Sequence, residues 1–301
     1  MFGLEKLRSF GRGQGNSHGA RAVVTGAGSG IGRAFALELA ARGGNVICAD
    51  IDKDRADQTA KTIERVYGRS AHAFHCDVAK RADMENLVMH ADLIFNGPPT
   101  LIVNNAGVGI GGRPVGDIGL DDWKWTLDIN LGGVIHGCEL FGRQLRDAGR
   151  GGIINVASAA GFAAAPQMAS YNVSKAGVMS LSETMASEFV GTDVTVTVLC
   201  PTLVKTNVIA DGRIPVSTLQ FGQKLMGWFG FAPDRVARLT LDAHDRGKLY
   251  VMPQPDAILG WYLKRHYPVQ WMRVLGLVQR LLPSEETTRE SSVHAAVITE
   301  N

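Results

Sequence analysis

Between residues 22 and 252, short β-branched runs alternate with longer helical patterns, and this alternation restricts the chain to one broad architecture. The strand candidates are Ala22–Thr25, Asn45–Ala49, Ala71–Cys76, Thr100–Asn104, Gly152–Ala157, Val194–Leu199 and Leu249–Met252. Helical stretches fill most of the gaps: Ile31–Arg42, Lys53–Tyr67, Arg81–Phe95, Leu120–Ala148, Tyr171–Val190 and Pro233–His244. Such a pattern predicts strand–helix–strand units, hence a parallel α/β sheet covered on both faces. Right-handed crossovers make that sheet doubly wound, with ligands at the carboxyl ends of its strands.

The first strand runs into Thr25-Gly26-Ala27-Gly28-Ser29-Gly30-Ile31-Gly32. Glycines let a chain turn sharply and bring backbone N–H groups close to a pyrophosphate. A helix that starts just after them turns its positive end toward the phosphates. The spacing that is met is T-G-x-x-x-G-x-G, because Ile31 stands where G-x-G-x-x-G would need its third glycine. Asp50 ends the second strand, near the ~20-residue distance at which an acid meets the adenosine ribose. A carboxylate there accepts from ribose hydroxyls and repels a 2′-phosphate. Asp50 or Asp52 is also placed to cap the helix near Lys53, and both roles can hold together.

Composition narrows the class further. Apolar residues at 45% and charged residues at 20% suit a globular chain that buries a full core. A net charge of +2 gives no reason to expect nucleic acid as a partner. Cys48, Cys76, Cys138 and Cys200 have neither metal-ligand nor C-x-x-C spacing, so no metal is expected and they read as small buried hydrophobes in a reducing cytoplasm. Lys6, Arg8 and Arg12 precede no long apolar stretch, so residues 1–19 read as a flexible leader rather than a secretory signal.

Further motifs follow in order: Asp77-Val78, Asn104-Asn105-Ala106-Gly107, Asn130, Ser158 and Tyr171-Asn172-Val173-Ser174-Lys175. With the Thr25–Gly32 loop, they make residues 20 to 253 resemble the short-chain dehydrogenase/reductase family. The resemblance implies a seven-stranded Rossmann-type sheet and an NAD(P)-dependent oxidoreductase that interconverts a secondary alcohol and a ketone. It carries catalytic roles to Asn130, Ser158, Tyr171 and Lys175. It carries cofactor contacts to Thr25, Gly26, Ser29, Gly30, Ile31, Gly32, Asp50, Asp77, Val78, Asn104, Ala106, Gly107, Tyr171, Lys175, Pro201, Val204 and Thr206. Thr202 stands where the family usually has glycine.

The residues agree with that chemistry. Tyr171 and Lys175, four apart on a helix, share one face. A phenol near ~10 is too weak a base at neutral pH, and a nearby ammonium is expected to lower it. An oxidised nicotinamide would push the same way. Tyr171 then exchanges a proton with the substrate oxygen while hydride moves to or from the nicotinamide. Ser158, just past a strand, would hold that oxygen. In the family, a residue like Lys175 also holds the nicotinamide ribose, and one like Asn130 binds a water linked to the lysine. Asp50 favours NAD over NADP.

Small residues from Ala159 to Ala165 and the apolar Leu203–Phe231 segment suggest a roomy pocket for a bulky hydrophobic alcohol or ketone, such as a steroid, terpenoid or long-chain alcohol. Ordinary core or a subunit contact is the alternative for those aromatics. Residues 254–283 read as an amphipathic helical extension and 284–301 as a polar tail. Interrupted by Lys264, Arg265, His266, Arg273 and Arg280, the extension is no convincing membrane span. It packs on the body or on another subunit, or makes peripheral membrane contact through residues 256–282. A homodimer or homotetramer is expected. A catalytically silent NAD(H) sensor and a membrane-surface scaffold are the competing readings.

Overall fold

Seven strands form: β1 Arg21–Thr25, β2 Asn45–Asp50, β3 Ala71–His75, β4 Leu101–Asn104, β5 Arg150–Val156, β6 Asp193–Leu199 and β7 Tyr250–Val251. The computed structural model describes residues 15–206, 212–213 and 230–281. Its strands are all parallel, in the order β3-β2-β1-β4-β5-β6-β7. The strand order reverses between β1 and β4, so a crevice opens beyond Thr25 and Asn104.

Neighbouring strand residues point to opposite faces, and each face is covered. Val23, Ile47, Ile102 and Ile153 pack with α3 (Arg81–Phe95), α5 (Gly133–Ala148) and α7 (Ala169–Glu188). Val24, Cys48, Val103 and Ile154 pack with α1 (Gly30–Ala41), α2 (Lys53–Tyr67) and α8 (Pro233–His244). Phe141 and Phe35 are fully buried, one in each layer. Truncating either to alanine should cost ~3–5 kcal/mol. The four cysteines are free and buried as expected, and burial pushes the Cys48 thiol up to about 12.

Helix limits follow local chemistry. The Asp52 side chain accepts from the Arg55 amide at the start of α2, and Gly68 closes that helix in the left-handed region. Pro233 starts α8, where a missing N–H is no loss.

Two expectations need correction. The predicted leader is shorter where it is described. The Ser17 hydroxyl donates to Asp245 at 2.6 Å, Arg42 donates to Ser17 at 3.0 Å, and Asn16 donates to the Gly151 carbonyl at 2.8 Å. Residues 15–19 are thus tied to the body, and residues 1–14 lie outside the described part. The helix expected over Leu120–Ala148 is two helices, α4 (Leu120–Leu127) and α5, joined by a π-helical turn at Asp128–Gly132. A wider turn places Asn130 inward, where its side chain pairs with the Val108 backbone.

The extension forms two helices, α9 (Pro255–His266) and α10 (Pro268–Leu281), and it packs on the body through its tryptophans. Trp261 meets Phe162 edge-on at 5.1 Å, and the Trp271 indole donates to the Ala163 carbonyl at 2.9 Å. Both partners belong to the short α6 (Ala160–Ala163). No described helix is long and apolar enough to cross a membrane. The polar tail from 284 onward, and residues 207–211 and 214–229 of the aromatic Leu203–Phe231 segment, lie outside the described residues.

Candidate active site

The loop between β1 and α1 fits a dinucleotide pyrophosphate. Gly26 has φ +65°, and a side chain on it would press on Ala106. A side chain on Gly32 would overlap the Gly26 carbonyl. Ser29 precedes α1 without capping it, and its first turn holds no acid. The positive end of this helix is therefore left for an anionic ligand. Thr206 reaches back over Gly30, so the segment after β6 closes on the same loop.

Asp50 sits at the rim of that cradle. One carboxylate oxygen accepts from the Gly28 amide at 2.7 Å, and the other from the Asp52 amide at 2.9 Å. Cap and cradle roles thus divide between neighbours: Asp52 caps α2, while Asp50 shapes the loop. Asp77 is held by the Ala79 amide and Lys80, and Val78 is buried against Gly133 with its carbonyl bonded to His136. These residues line up past β2 and β3, on the carboxyl edge of the sheet.

Beyond β4 the expected residues separate by role. Asn104 turns its side chain into the core, donating to Asn155 at 2.8 Å, so only its backbone can face the crevice. The Thr25 hydroxyl accepts from the Asn105 and Ala106 amides at 3.0 and 3.1 Å, locking β1 to the β4 loop. Asn105 was not singled out, yet its side chain donates to the Thr25 and Gly26 carbonyls at 2.9 and 3.2 Å. It fixes the glycine turn from behind. A β-carbon on Gly107 would lie 3.0 Å from Asn130 Oδ1 and 3.5 Å from Lys175 Nζ, so this glycine keeps the space beside the lysine open.

The four expected catalytic residues converge. Ser158 follows β5, Tyr171 and Lys175 lie on α7, and Asn130 lies in the π-helical turn. Ser158 Oγ donates to the Pro201 carbonyl at 3.4 Å and accepts from the Ala160 amide at 3.2 Å, and the hydroxyl lies close enough to the Tyr171 phenol to lower its pKa. Lys175 Nζ lies 5.7 Å from the Tyr171 ring centroid and donates to the Val156 carbonyl at 2.9 Å. Asn130 Oδ1 accepts from the Val108 amide at 2.7 Å, while Nδ2 donates to the Val108 carbonyl and the Ser174 hydroxyl.

Electrostatics corrects one expectation. Burial pushes the Tyr171 phenol above its ordinary value, and the nearby Ser158 hydroxyl only partly offsets this. Burial also pushes the Lys175 ammonium down to about 8. With its charge turned to the Val156 carbonyl, the lysine does not by itself make Tyr171 a strong base.

The segment after β6 carries the departure from the family pattern. The Pro201 carbonyl accepts from the Ala159 amide at 2.9 Å, and Val204 is buried and bridged to Phe231. The Thr202 amide donates to Gln254 Oε1 at 3.2 Å, and Gln254 Nε2 donates to the Leu203 carbonyl at 3.0 Å. Gln254 is buried and precedes α9. Sequence reasoning passed it over, since a lone glutamine between proline residues signals nothing in one dimension.

A sequence model described as short chain dehydrogenase matches residues 20–213. The chain belongs to the short-chain dehydrogenase/reductase family. The family's NAD(P)-binding Rossmann fold is the sheet described above. A short-chain dehydrogenase/reductase from Burkholderia phymatum, solved in complex with NAD, superposes with a TM-score of 0.78 at 30% identity, covering 83% of this chain and 94% of that one. Galactitol 2-dehydrogenase of Rhizobium johnstonii is 35% identical over 232 residues, 74% of this chain and 87% of that protein. "Probable oxidoreductase EphD" of Mycobacterium tuberculosis is 33% identical over 264 residues, 81% of this chain but 43% of that protein. The chain thus spans less than half the length of that relative. Within the short-chain dehydrogenase/reductase fold, a nicotinamide dinucleotide would rest on the Gly26–Gly32 cradle and reach toward Lys175, Tyr171 and Ser158.

Proposed function

We propose that the protein interconverts a secondary alcohol and a ketone, with Tyr171 as the proton donor and acceptor at the substrate oxygen. The observation that carries this reading is the convergence of Ser158, Tyr171 and Lys175 at the carboxyl edge of the sheet, with Lys175 Nζ 5.7 Å from the Tyr171 ring centroid. The Gly26–Gly32 loop, Asp50 and Lys175 would hold the dinucleotide, which supplies hydride exchange when bound. Ser158 orients the substrate oxygen and stabilises charge on it. Tyr171 passes the proton at that oxygen, and Lys175 relays it toward Asn130. Asp50, bonded to the Gly28 amide, places negative charge beside the adenosine end and favours NAD over NADP.

The substrate is read as a bulky hydrophobic alcohol or ketone. The Ala159–Ala165 wall, made of small residues around Phe162, supports this. A polyol is the second reading, favoured by the likeness to galactitol 2-dehydrogenase. The test follows nicotinamide absorbance with NAD or NADP over steroids, long-chain secondary alcohols and sugar alcohols. Higher kcat/KM for the lipophilic set, abolished in Tyr171→Phe with NAD affinity kept, supports the proposal. Turnover confined to sugar alcohols replaces it with the second reading. NAD binding without turnover of any class leaves the silent sensor.

A further inference from the structure

The extension presents a surface that the catalytic reading leaves unused. The inner sides of α9 and α10 are committed to the body through Trp261 and Trp271. Their outer sides carry Leu259, Tyr262, Val269, Val274 and Leu277, each more than half exposed. Five such residues on two adjoining helices make an exposed apolar face of the kind that marks an interaction site. Arg273 and Arg280 stand seven residues apart, on one line of α10, with Leu277 between them. Lys264 and Arg265 end α9 on the same unit. Against these four cations the two helices hold one carboxylate, Asp256. The unit is more positive than the whole chain, whose net charge is +2. Lys264, Arg273 and Arg280 make no ion pair among the described residues.

We infer that the outer face of α9 and α10 docks on an anionic phospholipid surface. Apolar side chains interleaved with unpaired cations match the boundary between acyl chains and acidic headgroups. A second copy of this chain fits less well. A twofold contact through this face would set Arg273 and Arg280 near their own copies, where like charges repel. The helices are also too short and too charged to insert across a bilayer, so they lie along its surface. Docking of this kind brings α6, and with it the Ser158 end of the sheet, next to the lipid. The inference stands on the exposed face and its charge, and holds whichever substrate class is turned over.

Sedimentation with vesicles tests it on the full chain. Vesicles of equal phosphatidylglycerol and phosphatidylcholine should pull the protein down at low salt and release it at high salt, while pure phosphatidylcholine should bind it weakly. Each basic residue near such a surface contributes about five-fold in partitioning, so Arg273→Gln with Arg280→Gln should weaken binding about thirty-fold. Val274→Ser with Leu277→Ser should weaken it too. Unchanged melting and nicotinamide binding would show that both double variants are folded. Equal binding to both vesicle types, or none to the anionic ones, overturns the inference. So does a serine variant that changes the mass by light scattering from oligomer to monomer while the parent ignores vesicles, since the face would then join two copies.

Discussion

His244 should make the protein acid-sensitive at the end of the sheet opposite the candidate active site. It ends α8 and is fully buried. Thr197 donates its hydroxyl proton to the Lys248 carbonyl at 2.9 Å, so its oxygen can only accept from His244 Nδ1, at 2.8 Å. Nε2 is left as a bare lone pair without a partner among the described residues. It faces Gly152, where even a methyl group would overlap it. A proton added to Nε2 would be buried with no acceptor, and burial accordingly pushes the imidazole down to about 4 from 6.5. The unfolded chain binds that proton below about 6.5 and the folded chain only below about 4, so unfolding takes up a proton in between. Stability is full above 6.5, falls as pH drops, and levels off below 4. The difference corresponds to about 2 kcal/mol lost between pH 7 and pH 5 from this side chain alone. Denaturant midpoints at the two pH values, for the parent and His244→Leu, isolate the contribution. The variant starts less stable at pH 7 but should lose about 2 kcal/mol less on acidification. Equal losses in both proteins would refute the reasoning.

Other outcomes follow from the site. Asp50→Ala should narrow the preference for NAD over NADP, read as the ratio of kcat/KM values, but should also loosen the loop at Gly28, so NAD affinity falls as NADP affinity rises. Lys175 loses its proton as pH rises through about 8, so NAD binding to the parent should weaken between pH 7 and 9.5, while Lys175→Arg should show a flat profile by titration calorimetry. Gln254→Leu strands the Thr202 amide and the Leu203 carbonyl, each a loss of ~1–3 kcal/mol, and should lower the melting temperature and raise KM for the dinucleotide. The expected homodimer or homotetramer would give an oligomer mass by light scattering at micromolar concentration; a monomer contradicts it.

Local signals carried most of the fold. The helices Lys53–Tyr67, Arg81–Phe95 and Pro233–His244 have the limits read from periodicity, because a cap, a left-handed stop or a leading proline marks them chemically. The π-helical turn at Asn130 is invisible to periodicity, since it arises from a bond to Val108, 22 residues away. The side chains expected to act in catalysis were legible as a group because their types and order are distinctive. Asn105 and Gln254 were not, because their roles lie in bonds to backbone that only the folded chain brings near. The phenol of Tyr171 differed in sign because a four-residue spacing locates Lys175 but not the burial that pushes the phenol up, nor the Val156 carbonyl to which the ammonium donates.

The bonds from Trp271 to Ala163 and from Gln254 to the Thr202–Leu203 backbone bear on protein engineering. Grafting residues 254–281 onto another member of the family, or replacing them with its counterpart, would cut through both contacts. The exchange would leave an indole N–H without its carbonyl and α6 without the aromatic edge that steadies it. A working chimera therefore needs the Phe162 helix and the Thr202–Leu203 turn carried along from the same parent. The natural seam for recombination lies before α6, not at the end of β7.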